Sequence, residues 1–408
     1  MNGKTIIAPP LYQGRFRSLD DIDNLESRWR SLEGCSDCSF FVSWSWIGPW
    51  LRLVREHTAL SVYECCLDGA IVAMAIVCKE AIKRRVFFRT NTITMNDSSH
   101  DHLNMFIEYN GLLARQGHES AVLHQFINDL NSSDSDWDEL YFTNMPSDSL
   151  ASLDTTALKL KKIPHSLQGV WAALLEPDSD RDSLISRLST NRRWQLRRSL
   201  KEYQKSGALT IDAATSTEEA LTYFSQMGIL HTERWNRAGR TGTFAYPNWV
   251  KFHRELIREA FARNEIQLLR IRCGNKVIGY IYNFIWRDSV LMLQSGFVSE
   301  SSNILRPGYV SHLLAMEFNA ARGAKIYNFL AGESEYKRVL GTDSAPLTSI
   351  YLQRNRLKFA LETALVRSYR ALRRSRLLAI GRNKLSSSAT WIASMGVHLA
   401  LQDMFCVI

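Results

Sequence analysis

The chain has 408 residues, 45% of them hydrophobic and 22% charged, with a net charge of +9. Those proportions suit two or three globular domains with real cores and exclude a disordered, collagenous or disulfide-scaffold protein. The positive balance favours anionic partners such as phosphorylated cofactors, nucleic acid or anionic lipid, and says nothing about fold.

The seven Cys are odd in number and irregular in spacing. Cys35-Ser-Asp-Cys38 is a lone C-x-x-C pair with no second pair or His pair at zinc spacing, so no metal is expected. Cys65, Cys66, Cys78 and Cys273 fall in strand-like segments and read as small hydrophobes. The first ten residues carry no long apolar run and end in Pro9-Pro10, unlike a signal peptide. No apolar stretch is long enough to span a bilayer, so a cytoplasmic location in a reducing compartment is expected.

In chain order, Leu60–Leu67 reads as a strand, Asp68-Gly69 as a hairpin turn and Ala70–Val77 as the return strand. The basic stretch Lys79–Arg85 leads to a short strand, Val86–Arg89. A helix is expected over His118–Leu130 and a strand over Asp138–Thr143. A turn-like boundary lies at Glu176–Asp182, around Pro177-Asp-Ser-Asp180. One basic helix follows, Leu184–Lys205. Ile266–Arg272, Val277–Trp286 and Val290–Phe297 form a second meander, joined by turns at Gly274-Asn275 and Arg287-Asp288-Ser289.

Pro307 suits a helix start, and Val310, Leu313, Leu314, Phe318 and Ala321 recur at helical spacing up to Gly323. Lys325–Leu330 is a strand, and Leu357–Ala379 an Arg-rich helix. Meander, helix and strand therefore occur twice, a repeat of pattern rather than identity. The fold class expected is α/β, an α+β mixed sheet. It divides into modules 1–176 and 177–379 with a tail, 380–408.

Several stretches resemble one family. They are Leu291–Lys337, Ser189–Arg198, His231–Phe244 and the pair Tyr336-Lys337 after Gly332. Trp44-Ser-Trp46 and Glu108-Tyr-Asn-Gly111 agree in the first half. Together they resemble GNAT-type acyltransferases of the BioF2-like form, which includes cellulose-biosynthesis-associated (CelD-like) proteins and neighbours the Fem-type aminoacyl transferases. The resemblance implies tandem GNAT-like modules, a cleft where the central strands splay, and acetyl-CoA or another acyl-CoA as cofactor. In such folds the loop before the long helix offers backbone N–H groups to a pyrophosphate, aided by the helix dipole. Here that loop is Leu305–Tyr309. It keeps Arg306 and Gly308 of a longer family pattern, and Pro307 lacks an N–H donor. Fem-type enzymes lack the loop and take aminoacyl-tRNA, so tRNA stands as the second donor.

The candidate residues follow. Arg306, Gly308, Tyr309 and Lys337 would hold the donor, against a plain Gly-assisted turn and a solvated Lys. Tyr336 would protonate the leaving thiolate, as the resemblance implies, or anchor a helix. His231 and Glu233 are the base candidates, because acyl transfer to an amine needs a proton removed. A packing or capping His is the competing reading. Trp235 would wall the cleft, and Arg197, with Arg192, Arg193 and Arg198, would grip phosphates. His312 and Glu317 are expected to be structural.

The activity expected is N- or O-acyl transfer to a sugar, polysaccharide or lipid precursor, or small metabolite. The alternatives are a Fem-like aminoacyl-tRNA-dependent transferase and a non-catalytic accessory of polysaccharide synthesis. The Arg-rich C-terminal helix would either pack on the second module or lie on the inner face of an anionic membrane. DNA is not an expected partner.

Overall fold

The computed structural model describes residues 11–368, apart from 56–58, 85–87, 99–104, 134–135, 152 and 157. The tail 380–408 and the end of the expected helix 357–379 lie outside the described residues.

The first half opens with β1 (Tyr12–Ser18), α1 (Leu25–Glu33) and α2 (Trp44–Val54), then the meander β2 (Ala59–Leu67), β3 (Ala70–Arg84) and β4 (Phe88–Met95). The short β5 (Leu113–Ala114), α3 (Glu119–Ser132), β6 (Glu139–Pro146), α4 (Ser147–Ala151) and β7 (Lys161–Leu174) complete it. The second half has α5 (Arg181–Ser186), α6 (Thr190–Ser206), β8 (Leu209–Ala213), α7 (Thr217–Arg237) and α8 (Pro247–Ala260). Its meander is β9 (Ile266–Cys273), β10 (Lys276–Trp286) and β11 (Ser289–Phe297). Then come α9 (Pro307–Ala320), β12 (Ile326–Ala331), α10 (Glu335–Leu340) and β13 (Thr342–Gln353).

Local chemistry explains most of these bounds. Asp68 and Gly69 both take positive φ, 51° and 79°, as the β2–β3 hairpin requires. Pro307 occupies the first turn of α9, where a missing N–H costs nothing. Ser216 caps α7 by accepting the Glu219 N–H. Two expectations are corrected. The strand placed at 86–89 runs from Phe88 to Met95, and β3 continues to Arg84. Thr90, Thr92 and Thr94 are buried on one face of β4 and Ile93 and Met95 on the other, so it lacks the apolar–polar alternation that marks a half-buried strand. The helix placed at 184–205 is two helices, because the chain breaks at 187–189 before restarting at Thr190.

Among the described residues thirteen strands join one mixed sheet in the order β1-β2-β3-β4-β6-β13-β7-β12-β11-β10-β9-β8, with β5 beside β3. The ladders show a reciprocal exchange. β13, the last strand of the second half, lies antiparallel to β6 of the first. β7, the last strand of the first half, lies antiparallel to β12 of the second. The exchanged strands pair with each other at the centre. Each half also contains one short parallel pair. β4 meets β6 only from Thr92/Glu139 to Thr94/Tyr141, and β11 meets β12 only from Ser289/Ile326 to Leu291/Asn328. Beyond those residues the two strands of each pair part and leave a cleft.

The halves share a core. Phe40 of the first half stacks on Phe284 of the second with ring centroids 4.2 Å apart, and Trp46 packs against Phe252 at 4.8 Å. The Trp286 indole donates to the Cys38 carbonyl at 2.8 Å. Fully burying one such aromatic is worth about 1.5–3 kcal/mol, so several shared rings hold the halves as one body. Cys65, Cys78 and Cys273 are buried free thiols.

Candidate active site

The cleft of the second half is built from four pieces: the end of β11, the start of α9, the segment from β12 into α10, and the C-terminal turns of α7. On β11, Gly296 and Phe297 stand past the last residue paired with β12. A Cβ at Gly296 would lie 2.4 Å from the Met227 carbonyl oxygen, so glycine is what lets α7 lie against β11.

The start of α9 offers an anion cradle. Val310 makes the first intrahelical bond, to the Arg306 carbonyl. The N–H groups of Gly308 and Tyr309 precede that ladder and have no intrahelical acceptor. A Cβ on Gly308 would stand 3.3 Å from two atoms of the Phe297 ring, tighter than ordinary contact. The Arg306 N–H is held by Ser199 Oγ at 3.0 Å, which anchors the loop to α6. The Arg306 guanidinium makes no ion pair among the described residues. Two uncommitted N–H groups, an adjacent guanidinium and the helix dipole suit a pyrophosphate, even with Pro307 contributing no donor. Burial, and then Glu335, raise the Tyr309 pKa, so its phenol stays protonated.

Tyr336, on α10, stacks flat on His312 of α9, with centroids 4.8 Å apart and ring planes within 4°. Its hydroxyl has no hydrogen-bond partner among the described residues. Burial raises its pKa, opposed by Arg234, so it is a protonated donor at neutral pH. His312 is fully buried, and neither ring nitrogen has a partner. Burial, with Lys337 and Arg234 adding to it, pushes its pKa down to about 3, so the ring is neutral.

His231 is 3% exposed on α7, between Trp235 (5.7 Å between centroids) and Phe244 (5.2 Å). Burial and then Arg234 push its pKa down to about 4, and its Nδ1 is unpartnered. It can accept a proton or hydrogen bond, but its basicity is low. Trp235 lies one turn on, beside His231.

The structure does not bring the remaining candidates together here. Glu233 is exposed on α7, two residues from His231 and so well round the helix from it. Lys337 is 8% exposed and its ammonium is committed to the carbonyls of Ala331 (2.6 Å) and Leu330 (3.3 Å), so it fixes the end of β12 rather than facing the α9 loop. Arg197 lies on the side of α6 away from Ser199, in a groove with Arg181, Lys201 and Glu317. Arg192, by contrast, does reach the site: it pairs with Glu335, next to Tyr336, and its charge acts on Tyr309. Glu317 is structural as expected, forming an ion pair with Arg181 at 2.7 Å.

Sequence reasoning missed Arg234. It carries no ion pair or side-chain hydrogen bond among the described residues, yet its charge acts on His231, His312 and Tyr336 together. The available signal was spacing: Arg234 stands three residues after His231, on a neighbouring face of α7.

Residues 190–338, from α6 into α10, match the family model described as acetyltransferase (GNAT) domain. No curated protein matches the chain. Among solved structures, the crystal structure of FemX is similar over 83% of this chain and 98% of its own, at 11% identity and TM-score 0.53. L-PGS from Bacillus licheniformis covers 83% of this chain and 94% of its own, at 8% identity and TM-score 0.47. A tandem GNAT protein from the clavulanic acid biosynthesis pathway covers 84% and 98%, at 11% identity and TM-score 0.41. Among the described residues no helix is long and apolar enough to cross a membrane, and no cluster of metal-ligating side chains appears. The mixed α/β sheet with a splayed parallel pair in each half thus carries, over residues 190–338, an acyltransferase domain of the GNAT type.

Proposed function

We propose that the second-half cleft transfers an acyl group from acyl-CoA to an amine or hydroxyl of a sugar, polysaccharide or lipid precursor, or small metabolite, in the cytoplasm. On this reading the chain belongs with the BioF2-like and CelD-like group, its modules being 1–176 and 177–379. The observation that supports it most is the start of α9. Among the described residues Gly308 and Tyr309 present free N–H groups beside Arg306, which has no ion pair there, and Tyr336, with a hydroxyl unpartnered there, reaches the same helix through its stack on His312.

Arg306 and the 308–309 N–H groups would hold the donor's phosphates. The bound donor supplies a thioester carbonyl and a thiolate leaving group. The acceptor's lone pair attacks that carbonyl and the carbon–sulfur bond breaks. Tyr336 is placed to donate its hydroxyl hydrogen toward the departing sulfur. Its raised pKa keeps the hydroxyl protonated at neutral pH and makes it a weak acid, so it hydrogen-bonds to the departing sulfur and gives up its proton only to a strongly basic partner. Arg234 steadies negative charge at the same place. His231, neutral and with Nδ1 free, can accept from the acceptor's N–H or O–H.

A second reading, with aminoacyl-tRNA as donor, is favoured by the surface of α6. Trp194 is 58% exposed there and carries the Arg198 guanidinium 5.2 Å from its ring centroid. Exposed aromatics interleaved with cations suit nucleic acid. Thermal denaturation with acetyl-CoA, longer acyl-CoAs and bulk tRNA, at low and moderate salt, separates the readings. A salt-tolerant shift with an acyl-CoA supports the first. A shift with tRNA alone, lost as salt rises, replaces it with the second. No shift with any of them overturns both and leaves a non-catalytic polysaccharide-synthesis accessory as the reading.

A further inference from the structure

Besides the β7 ladder, in which the Gly169 carbonyl accepts the Gly332 N–H at 3.1 Å, the first half reaches the second half's cleft through the segment around Glu108-Tyr-Asn-Gly111. Asn110 anchors it at home. Its side chain donates to the Met95 carbonyl at 2.7 Å, and its N–H to the Asn144 carbonyl at 3.1 Å, at the splayed ends of β4 and β6. The two preceding residues cross to β12. Glu108 Oε2 accepts the Ala331 N–H at 2.8 Å, and the Tyr109 hydroxyl accepts from the Asn328 side chain at 2.7 Å.

What they hold is a bend. The β7–β12 register shifts between Asn328 and Ala331. Leu330 adopts φ 62°, a left-handed conformation that L-residues avoid, and Gly332 adopts φ 116°. Such a bend persists only when its surroundings over-determine it. Here the peptide groups are gripped from both sides: Glu108 takes the Ala331 N–H, while Lys337 donates to the Leu330 and Ala331 carbonyls. Charged partners make these the stronger kind of hydrogen bond. The chain leaves the bend directly into α10, whose Tyr336 stacks on His312.

We propose that Glu108 is a positioning residue lent by the first half, which fixes the 330–332 bend and through it the stack of Tyr336 on His312 in the second half's site. It acts through Ala331 and need not touch substrate. The link to catalysis rests on the acyl-transfer reading; the link to the position of Tyr336 does not.

The test is tyrosine-ring 13C NMR on the full chain without ligand, with the Tyr336 signal identified by its loss in Tyr336→Phe. Glu108→Ala is expected to move the Tyr336 signal toward its denatured-state position while the remote Tyr141 and Tyr351 signals hold. Glu108→Gln, which keeps an acceptor for the Ala331 N–H, is expected to restore the native signal. The proposal is overturned if Glu108→Ala leaves the Tyr336 signal in place, or if Glu108→Gln displaces it equally. Should Glu108→Ala fail to fold, Glu108→Asp, too short to reach Ala331, takes its place under the same criteria. Failure of acetyl-CoA and the longer acyl-CoAs alike to shift thermal stability would remove the acyl-transfer reading and leave this result standing. With transfer measurable, Glu108→Ala lowers kcat on the order of 10²-fold, the scale of a small misplacement of a reacting group, and Glu108→Gln recovers most of it.

Discussion

Replacing Tyr336 by Phe removes one hydroxyl and keeps the ring on His312. On the acyl-transfer reading this variant loses on the order of 10²-fold in kcat with little change in acetyl-CoA affinity. Steady-state kinetics alongside calorimetric binding checks it, and an unchanged kcat would remove Tyr336 from the chemistry. Histidine titration gives a second prediction. Burial holds His253 and His312 near pKa 3. Their folded values lie below the unfolded one, so as pH falls the unfolded chain takes up protons first. Each contributes stability above about pH 6.5 that declines by about 1.4 kcal/mol per pH unit toward pH 3. Denaturant unfolding of His312→Phe across pH 4–7 should show a shallower slope than wild type. Asp97 has the opposite sign. Burial raises it to about 7, so its contribution is lost as pH rises from about 4 to 7. The start of α9 was legible at this scale, because Pro307 and Gly308 mark a helix start. The commitment of Lys337 to two carbonyls was not, since nothing in a sequence shows where a long cation points.

At the scale of elements, glycine spacing decides how α7 lies on the sheet. Gly296→Ala puts a methyl into the Met227 carbonyl, and overpacking of this kind costs about 1–3 kcal/mol. A lower denaturation midpoint with an unchanged m-value is expected. The two meanders were readable because their turns carry Asp68-Gly69 and Gly274-Asn275 between alternating strands. β4 was not, because its end is buried on both faces, Thr92 and Thr94 on one and Ile93 and Met95 on the other, so no apolar–polar alternation marks it. The single helix expected at 184–205 failed for a related reason. Arg187-Leu188-Ser189 carries neither Gly nor Pro, yet Ser189 stands as the N-cap of α6.

For the whole molecule, the exchanged strands set what can stand alone. A chain cut at 176/177 leaves β6 without β13 and β12 without β7. Halves expressed separately should be insoluble or molten, while co-expressed halves should assemble into a complex that melts cooperatively. Independent folding of either half, seen as a sharp melt and dispersed NMR spectrum, would contradict the pairing. The repeated pattern of meander, helix and strand was visible in sequence, but the exchange was not. Nothing in the sequence of β7 or β13 states which neighbour it will choose.

The position of β13 also sets a schedule for synthesis. β6 is complete at residue 146, but its second neighbour begins only at residue 342. A ribosome adding 5–20 residues per second leaves that edge open for on the order of 10–40 s. During that interval β7 emerges next to it and offers a local hairpin that the finished sheet forbids. Native assembly must undo or avoid this pairing, which makes the nascent chain most exposed to misassembly well before its second half exists.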